Sequence, residues 1–149
     1  MDRSLDSLSA AFRPLAFEVL ARLVERQCLV MISQTSRTME EHRINVAKRT
    51  SRTELSKHLP RSLRGYAPTD ADINKADAID LAPWEVWQAH GPDKLSWDPK
   101  HPTFAVIGEV GERLGLRWGG RWLDPHDPGH LELLVPPPSL PATKSRRIA

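Results

Sequence analysis

The sequence is poor in cysteine, in long apolar runs and in leader-like features. Cys28 is the only cysteine among the 149 residues, which excludes a disulfide framework and a cysteine-based zinc finger within one chain. No apolar stretch approaches the roughly 18 residues that a membrane span requires. The N-terminal segment lacks the apolar core of a signal peptide. We therefore expect a chain that is made and folds in the cytoplasm, with no stable membrane association.

The charge of the chain is close to balanced. A formal net charge of +2 does not by itself indicate a nucleic-acid partner, and we expect none. The positive charge is concentrated in residues 37–64 and in the last six residues, where it either meets an anionic polymer or forms a solvated face. The length favours one domain, predicted at residues 1–135 and followed by a proline-rich basic tail at 136–149. We expect the protein to be a monomer.

Hydrophobic patterns predict an α+β fold in which helices and strands do not alternate regularly. Helices are predicted at 14–27, 36–49 and 102–115, and strands at 28–33, 77–83 and 131–135. Thr38 followed by Glu41 has the spacing of a capping box, and Gly115 is expected to end the third helix. The polar residues 50–75 are predicted to form a long loop, of which 60–75 would be a mobile flap over the site.

Histidine and aspartate residues in three separate segments predict a metal centre. His58 ends one segment, Asp80 lies on a predicted strand, and His130 precedes another strand. Two imidazoles and one carboxylate, with a fourth position open to water, are the usual ligands of catalytic zinc. Asp127, three residues before His130 across a Pro-Gly turn, is placed to act as a general base. His126 is the alternative to His130 as a ligand, and solvated loop histidines are the alternative to the whole site.

The segments that carry these residues resemble a known peptidase family. They are "SRT" with the following "EEH" at 36–42, "SKHLPR" at 56–61, "DAIDLAPW" at 77–84, Trp97, and "GLRWGGRW" with "DPGHLEL" within 115–133. Between about residues 28 and 135 the chain resembles the family that includes D-alanyl-D-alanine carboxypeptidases and the L-alanyl-D-glutamate endopeptidases of phage lysins. The resemblance implies a small domain with a short antiparallel sheet flanked by helices, similar to hedgehog and D,D-peptidase folds.

The same resemblance assigns roles to individual residues. It implies that His58, Asp80 and His130 bind Zn²⁺, that Asp127 is the catalytic base, and that Arg37 lies beside the substrate. The chain departs from many relatives because His58 and Asp80 lie 22 positions apart, with an insertion over 59–79 between two intact motifs.

The aromatic and basic residues of these segments each have two interpretations. Trp118 and Trp122 either form apolar walls of the metal site that contact the substrate or belong to the core. Arg37 either faces the substrate or pairs with Glu40 or Glu41 on its own helix. Gly119 and Gly120 would allow close approach of backbone near the site.

The remaining reactive side chains are given structural roles. His42 is predicted on the exposed or cleft side of a helix, His90 and His101 in loops, and Cys28 as a buried small hydrophobic residue.

The expected function is that of a zinc metallopeptidase acting on peptidoglycan stem peptides. The resemblance favours an L-Ala–D-Glu endopeptidase of a phage lysin, held in the host cytoplasm until a separate membrane pore releases it to the cell wall. A D-Ala-D-Ala carboxypeptidase is the second possibility. A zinc-bearing virion module that binds the cell wall without catalysis is the third, and an intact Asp127 argues against it because a binding module needs no base.

Overall fold

Four short strands form one antiparallel sheet that carries the predicted site. The computed structural model describes residues 1–51, 53, 55–85 and 94–134. The strands are β1 (Val30–Gln34), β2 (Ala78–Pro83), β3 (Arg117–Trp118) and β4 (His130–Glu132), in the spatial order β1-β2-β4-β3. The central strands are therefore β2 and β4, and Asp80 is the direct cross-strand partner of His130.

Three α-helices belong to the described part of the chain: α1 (Arg13–Glu25), α2 (Met39–Ala47) and α3 (Pro102–Arg113). The core lies between α1, α3 and the central strands, and its most buried members include Val19, Leu23, Ile79, Ile107 and Leu131. Full burial of side chains of this size contributes about 1.5–3 kcal/mol each. The predicted α+β class is confirmed.

The ends of the helices follow local sequence signals. Thr38 Oγ1 accepts a hydrogen bond from the Glu41 backbone N–H at 3.1 Å, and Glu41 Oε2 accepts one from the Thr38 N–H at 3.0 Å. This is the predicted capping box, and it starts α2 at Met39 rather than at residue 36. Gly115 has φ of +79° and follows the last turn of α3, as expected for a glycine that ends a helix.

The insertion between the two motifs is fastened to the start of β2 by buried ion pairs. A short 3₁₀ helix at Arg61–Arg64 places two guanidinium groups against Asp77, which is fully buried. Arg61 donates from Nε to Asp77 Oδ2 at 2.9 Å and from Nη2 to Oδ1 at 3.0 Å, while Arg64 donates from Nη2 to Oδ2. The segment 50–75, predicted as a long loop, therefore contains a short 3₁₀ helix held by buried ion pairs.

The strands differ from their predicted bounds in ways that matter for the site. β1 begins two residues later and ends one residue later than predicted, and β4 begins at His130, so this residue belongs to the strand instead of preceding it. β3 was not predicted because two residues are too few to show a period of two.

Two predictions remain, one about the C-terminal tail and one about membrane-spanning helices. Residues 135–149 lie outside the described residues, so the boundary after 135 and the basic tail stay predictions. Across the described ranges, no helix has the length and apolar character needed to cross a bilayer.

Candidate metal centre

The three predicted ligands meet at one point above the central strands. Asp80 Oδ1 lies 3.0 Å from His58 Nε2 and 2.8 Å from His130 Nδ1, and the two ring nitrogens are 3.2 Å apart. One donor atom from each residue lies within 4.8 Å of the others. Asp80 and His130 meet because they are paired across β2 and β4, whereas His58 arrives from a loop.

The loop that carries His58 is held by backbone hydrogen bonds on both sides. The Arg37 N–H donates to the carbonyl of His58 at 2.9 Å, and the Asp77 N–H donates to the carbonyl of Lys57 at 2.9 Å. The loop is thereby tied both to the segment after β1 and to the start of β2. The 22-position separation of His58 and Asp80 does not separate them in space, because the inserted residues leave and return beside β2.

Each imidazole is oriented by a partner on its other ring nitrogen. His58 Nδ1 lies 2.7 Å from the carbonyl oxygen of Thr35, which only accepts hydrogen bonds. His130 Nε2 lies 3.1 Å from Glu132 Oε2, a carboxylate oxygen. In the neutral tautomers that satisfy these acceptors, the lone pairs of His58 Nε2 and His130 Nδ1 both face Asp80. Outer partners of this kind are typical of metal-binding histidines.

The electrostatics of the three residues favour a bound cation. Burial raises the pKa of Asp80, but the imidazoles of His58 and His130 lower it by more, so the carboxylate stays ionised. Burial lowers the pKa of His130, but hydrogen bonds to Asp80 and Glu132 raise it to about 10. A site that raises the pKa of a buried imidazole stabilises positive charge. Two imidazole nitrogens and one carboxylate oxygen are also the donor set that suits catalytic zinc, so the residues fit this metal.

Asp127 faces the same cleft from the turn before β4. Its backbone carbonyl accepts from the His130 N–H at 3.2 Å, and its N–H donates to the Gly119 carbonyl at 3.2 Å. A Cβ on Gly119 would collide with the Asp127 carbonyl oxygen, which explains the close approach of backbone predicted there. Burial and the charge of Asp80 raise the pKa of the Asp127 carboxyl, as expected for a group that exchanges protons.

Arg37 precedes α2, lines the cleft and pairs with neither Glu40 nor Glu41. Its Nε donates to Gln34 Oε1 at 3.0 Å, and Nη2 donates to the same oxygen. Glu41 instead caps α2 and contacts the N-terminal amino group at 2.7 Å. Burial lowers the pKa of Arg37, whereas the charges of Asp80, Asp127 and Glu41 raise it. An arginine remains charged under these conditions.

The two tryptophans have different positions. Trp122 lines the cleft, and its ring centroid is 4.9 Å from that of His130. Trp118 packs against α3 at Gly108, where a Cβ would collide with the indole, and its Nε1 donates to the Pro128 carbonyl at 2.8 Å. Trp118 is not among the described residues that line the cleft, and its contact with the substrate stays a prediction. The alternative, a core aromatic, is what the structure shows.

The cleft has a volume of about 670 Å³, and its lining includes Thr50, Ser51, Thr53 and the segments 55–58 and 122–125. None of its described lining residues comes from 60–75. That segment is instead fastened by Arg61 and Arg64 to Asp77, as described above. The prediction of a flap formed by 60–75 over the site is therefore wrong.

Part of the chain matches the model of a known protein family. A protein-family model described as D-alanyl-D-alanine carboxypeptidase matches residues 74–133, the segment that contains Asp80, Asp127 and His130. This match covers 60 of the 149 residues of the chain. The predicted resemblance is thus confirmed, and with it the prediction that the chain is a peptidase.

The fold of this peptidase is similar to that of a solved endopeptidase. The crystal structure of the L-Ala D-Glu endopeptidase ChiX from Serratia marcescens aligns with a TM-score of 0.57 and 18% sequence identity, over 87% of this chain and 82% of that chain. At this identity the likeness shows the fold alone. No curated protein matches the sequence of the chain.

The peptidase contains cleft residues that sequence reasoning missed. Glu132 was not singled out, although it follows His130 by two positions, so the two side chains share one face of β4. Lys57 and Arg117 line the same end of the cleft and contact Glu132 Oε1 at 3.8 and 3.3 Å. Strand alternation was the available signal for Glu132.

The other described histidines are not among the converging ligands. His126 Nε2 lies 3.1 Å from the Gly120 carbonyl, and the residue is not among the converging ligands. His101 caps α3 and contacts Glu85 at 2.7 Å. His42 is buried and is not among the described cleft-lining residues, so its predicted position on the exposed or cleft side of a helix is wrong. His90 lies outside the described residues.

Proposed function

We propose that this peptidase hydrolyses peptidoglycan stem peptides with zinc held by His58, Asp80 and His130, and that it cleaves the L-Ala–D-Glu bond as a phage lysin endopeptidase. The observation that carries the proposal is the convergence of the three donor atoms beside Asp127 in an open cleft. Zinc dependence is typical of the family. The preference for the L-Ala–D-Glu bond is supported by the sequence resemblance and by the similarity of the fold to that of a solved L-Ala D-Glu endopeptidase.

The chain's own residues divide the chemistry among them. Zinc held by the three ligands would act as a Lewis acid, which would lower the pKa of a water molecule to about 7 and polarise a carbonyl. Asp127 accepts the proton of the attacking water and passes it to the departing amine. The guanidinium N–H groups of Arg37 that are not bonded to Gln34 hold a substrate carboxylate or the developing oxyanion. Trp122 shields one side of the centre from bulk water.

A D-Ala-D-Ala carboxypeptidase is the second candidate, and the family model that matches residues 74–133 favours it. The two activities share the same metal chemistry and differ in the bond that is placed over it. A zinc-bearing wall-binding module without catalysis is disfavoured, because Asp127 lines the cleft together with the three ligands and such a module needs no base.

Mass spectrometry of purified peptidoglycan fragments after incubation with the protein distinguishes these candidates. Endopeptidase activity yields peptides that begin with D-glutamate, whereas carboxypeptidase activity yields free D-alanine. Asp127→Asn is the inactive comparison, and Asp98→Asn, an exposed aspartate outside the cleft lining, is the matched control. Unchanged fragments with the zinc-loaded wild-type protein would refute the proposed activity.

A further inference from the structure

A second basic group lies in the cleft on the other side of the metal centre from Arg37. Arg37 follows β1, one edge strand of the sheet, whereas Arg117 lies on β3, the other edge strand. The ligands Asp80 and His130 lie on the two strands between them. Both arginines line the same cleft, so an extended peptide that crosses the metal centre passes both cations.

The guanidinium of Arg117 is held in place but not saturated. Its Nη1 donates to Glu132 Oε1 at 3.3 Å, longer than the roughly 2.7–2.9 Å of a strong charge-assisted hydrogen bond. Within the described ranges this is the only hydrogen bond that its side chain makes. The guanidinium carbon lies 5.2 Å from the centroid of the Trp122 ring, and the side chain is 56% exposed. Most of its N–H groups are therefore available to a ligand.

Lys57 adds a second positive charge at this end of the cleft. Its ammonium donates to the Leu133 carbonyl at 2.7 Å and lies 3.8 Å from Glu132 Oε1. Lys57 and Arg117 thus share one carboxylate oxygen, while the other oxygen of Glu132 contacts His130. Two cations facing one carboxylate leave an excess of positive charge, which attracts an anionic group of the substrate.

We propose that Arg117, with Lys57 behind it, binds a free carboxylate of the stem peptide on the β3 side of the metal centre. The planar fork of an arginine suits bidentate contact with a carboxylate, and stacking on Trp122 orders the fork before the substrate arrives. Stem peptides offer such groups, since a γ-linked D-glutamate keeps its α-carboxylate free. This inference rests on the proposed function. It makes Arg117 a residue that determines specificity.

The test compares acidic and amidated peptides. The probes are the tripeptide L-Ala-γ-D-Glu-L-Lys, the same peptide with the glutamate α-carboxylate as a carboxamide, and the same peptide with only its C-terminal carboxylate amidated. For Arg117→Gln we expect KM for the acidic peptide to rise about tenfold, with kcat little changed, because a charge-assisted contact made throughout the reaction is removed. The peptide that lacks the recognised carboxylate should show no such change, and the comparison identifies that carboxylate.

The matched control is Arg121→Gln, which removes the same charge four positions along the chain. Arg121 pairs with Glu112 and does not line the cleft, so both KM and kcat should stay at wild-type values. Arg117→Lys keeps the charge but loses the fork, and it should lie between the wild type and Arg117→Gln. If Arg117→Gln does not fold, Arg117→Lys takes its place in the comparison of acidic and amidated peptides. Zinc content is measured in each variant to show that the metal centre is intact.

Equal losses on the acidic and both amidated peptides, or a loss as large in Arg121→Gln, would overturn the inference. Dissociation constants from tryptophan fluorescence separate this failure from failure of the proposed function. Discrimination between the acidic and amidated peptides in binding that depends on Arg117, but without cleavage, would sustain the carboxylate site and refute the peptidase assignment. Cleavage that does not depend on Arg117 would sustain the peptidase assignment and refute the carboxylate site.

Discussion

Glu132 should control how tightly the centre binds zinc, although it is not among the three converging ligands. Its Oε2 lies 3.1 Å from His130 Nε2, and the residue is only 5% exposed, so water does not readily replace it. Loss of an outer partner of a metal-binding histidine costs about 10–100-fold in metal affinity. Each tenfold step corresponds to about 1.4 kcal/mol. We expect a loss of zinc affinity of about tenfold for Glu132→Gln, which keeps an acceptor oxygen, and of about 100-fold for Glu132→Ala.

The assay is competition for zinc with a chromophoric chelator at fixed pH, with circular dichroism as the check on folding. Glu112→Gln is the matched control, because Glu112 pairs with Arg121 outside the cleft lining and should leave the dissociation constant unchanged. A folded Glu132→Ala variant that binds zinc as tightly as the wild type would refute the reasoning. The order of the two substitutions is a second check, since glutamine should be the milder change.

Further predictions concern the base, the insertion, a glycine and the tail. Asp127→Asn should keep zinc and fold but lose about 10²-fold or more in peptide hydrolysis, and wild-type turnover would contradict this. Asp77→Asn should lower the free energy of unfolding at pH 7, measured with urea, by about 3 kcal/mol, because it removes the buried charge that pairs with Arg61 and Arg64 and leaves Arg61 only Asp70 and Asp72. Burial raises the pKa of Asp77, but hydrogen bonds from Arg61 and others lower it by more, so its stabilisation is complete above about pH 4 and is lost on further acidification. Gly119→Ala should reduce hydrolysis, because its Cβ displaces the Asp127 carbonyl. Removal of 141–149 should slow lysis of whole envelopes at low salt yet leave cleavage of a soluble peptide unchanged, and loss of both would contradict a tail that acts only by charge.

The site was more predictable from the sequence than the contacts that support it. His58, Asp80 and His130 lie in short motifs, and their residue types alone suggest a metal. The partners of the imidazoles, Thr35 and Glu132, follow from strand register and from the path of a loop. A register is a non-local property, because cross-strand neighbours are distant in the chain.

The predictions for the segment 60–75 and for Trp118 differ from the structure for the same reason. The segment 60–75 is polar and has the composition of a loop, but Asp77 lies outside it and supplies the anion that fastens it. Trp118 lies two positions after Leu116, and only its contact with Gly108 on α3 decides that it faces the core. In both cases the position depends on a contact with a residue of another segment, and the local sequence pattern does not reveal this contact.

Zinc content measured by atomic emission on the purified protein and three histidine variants tests the metal centre most directly. We expect one zinc ion per chain in the wild type and in His126→Ala, whose imidazole makes its only hydrogen bond among the described residues with the Gly120 carbonyl. We expect loss of zinc in His58→Ala and in His130→Ala. Full zinc occupancy in both of these variants, or loss of zinc in His126→Ala alone, would contradict the assignment of the ligands.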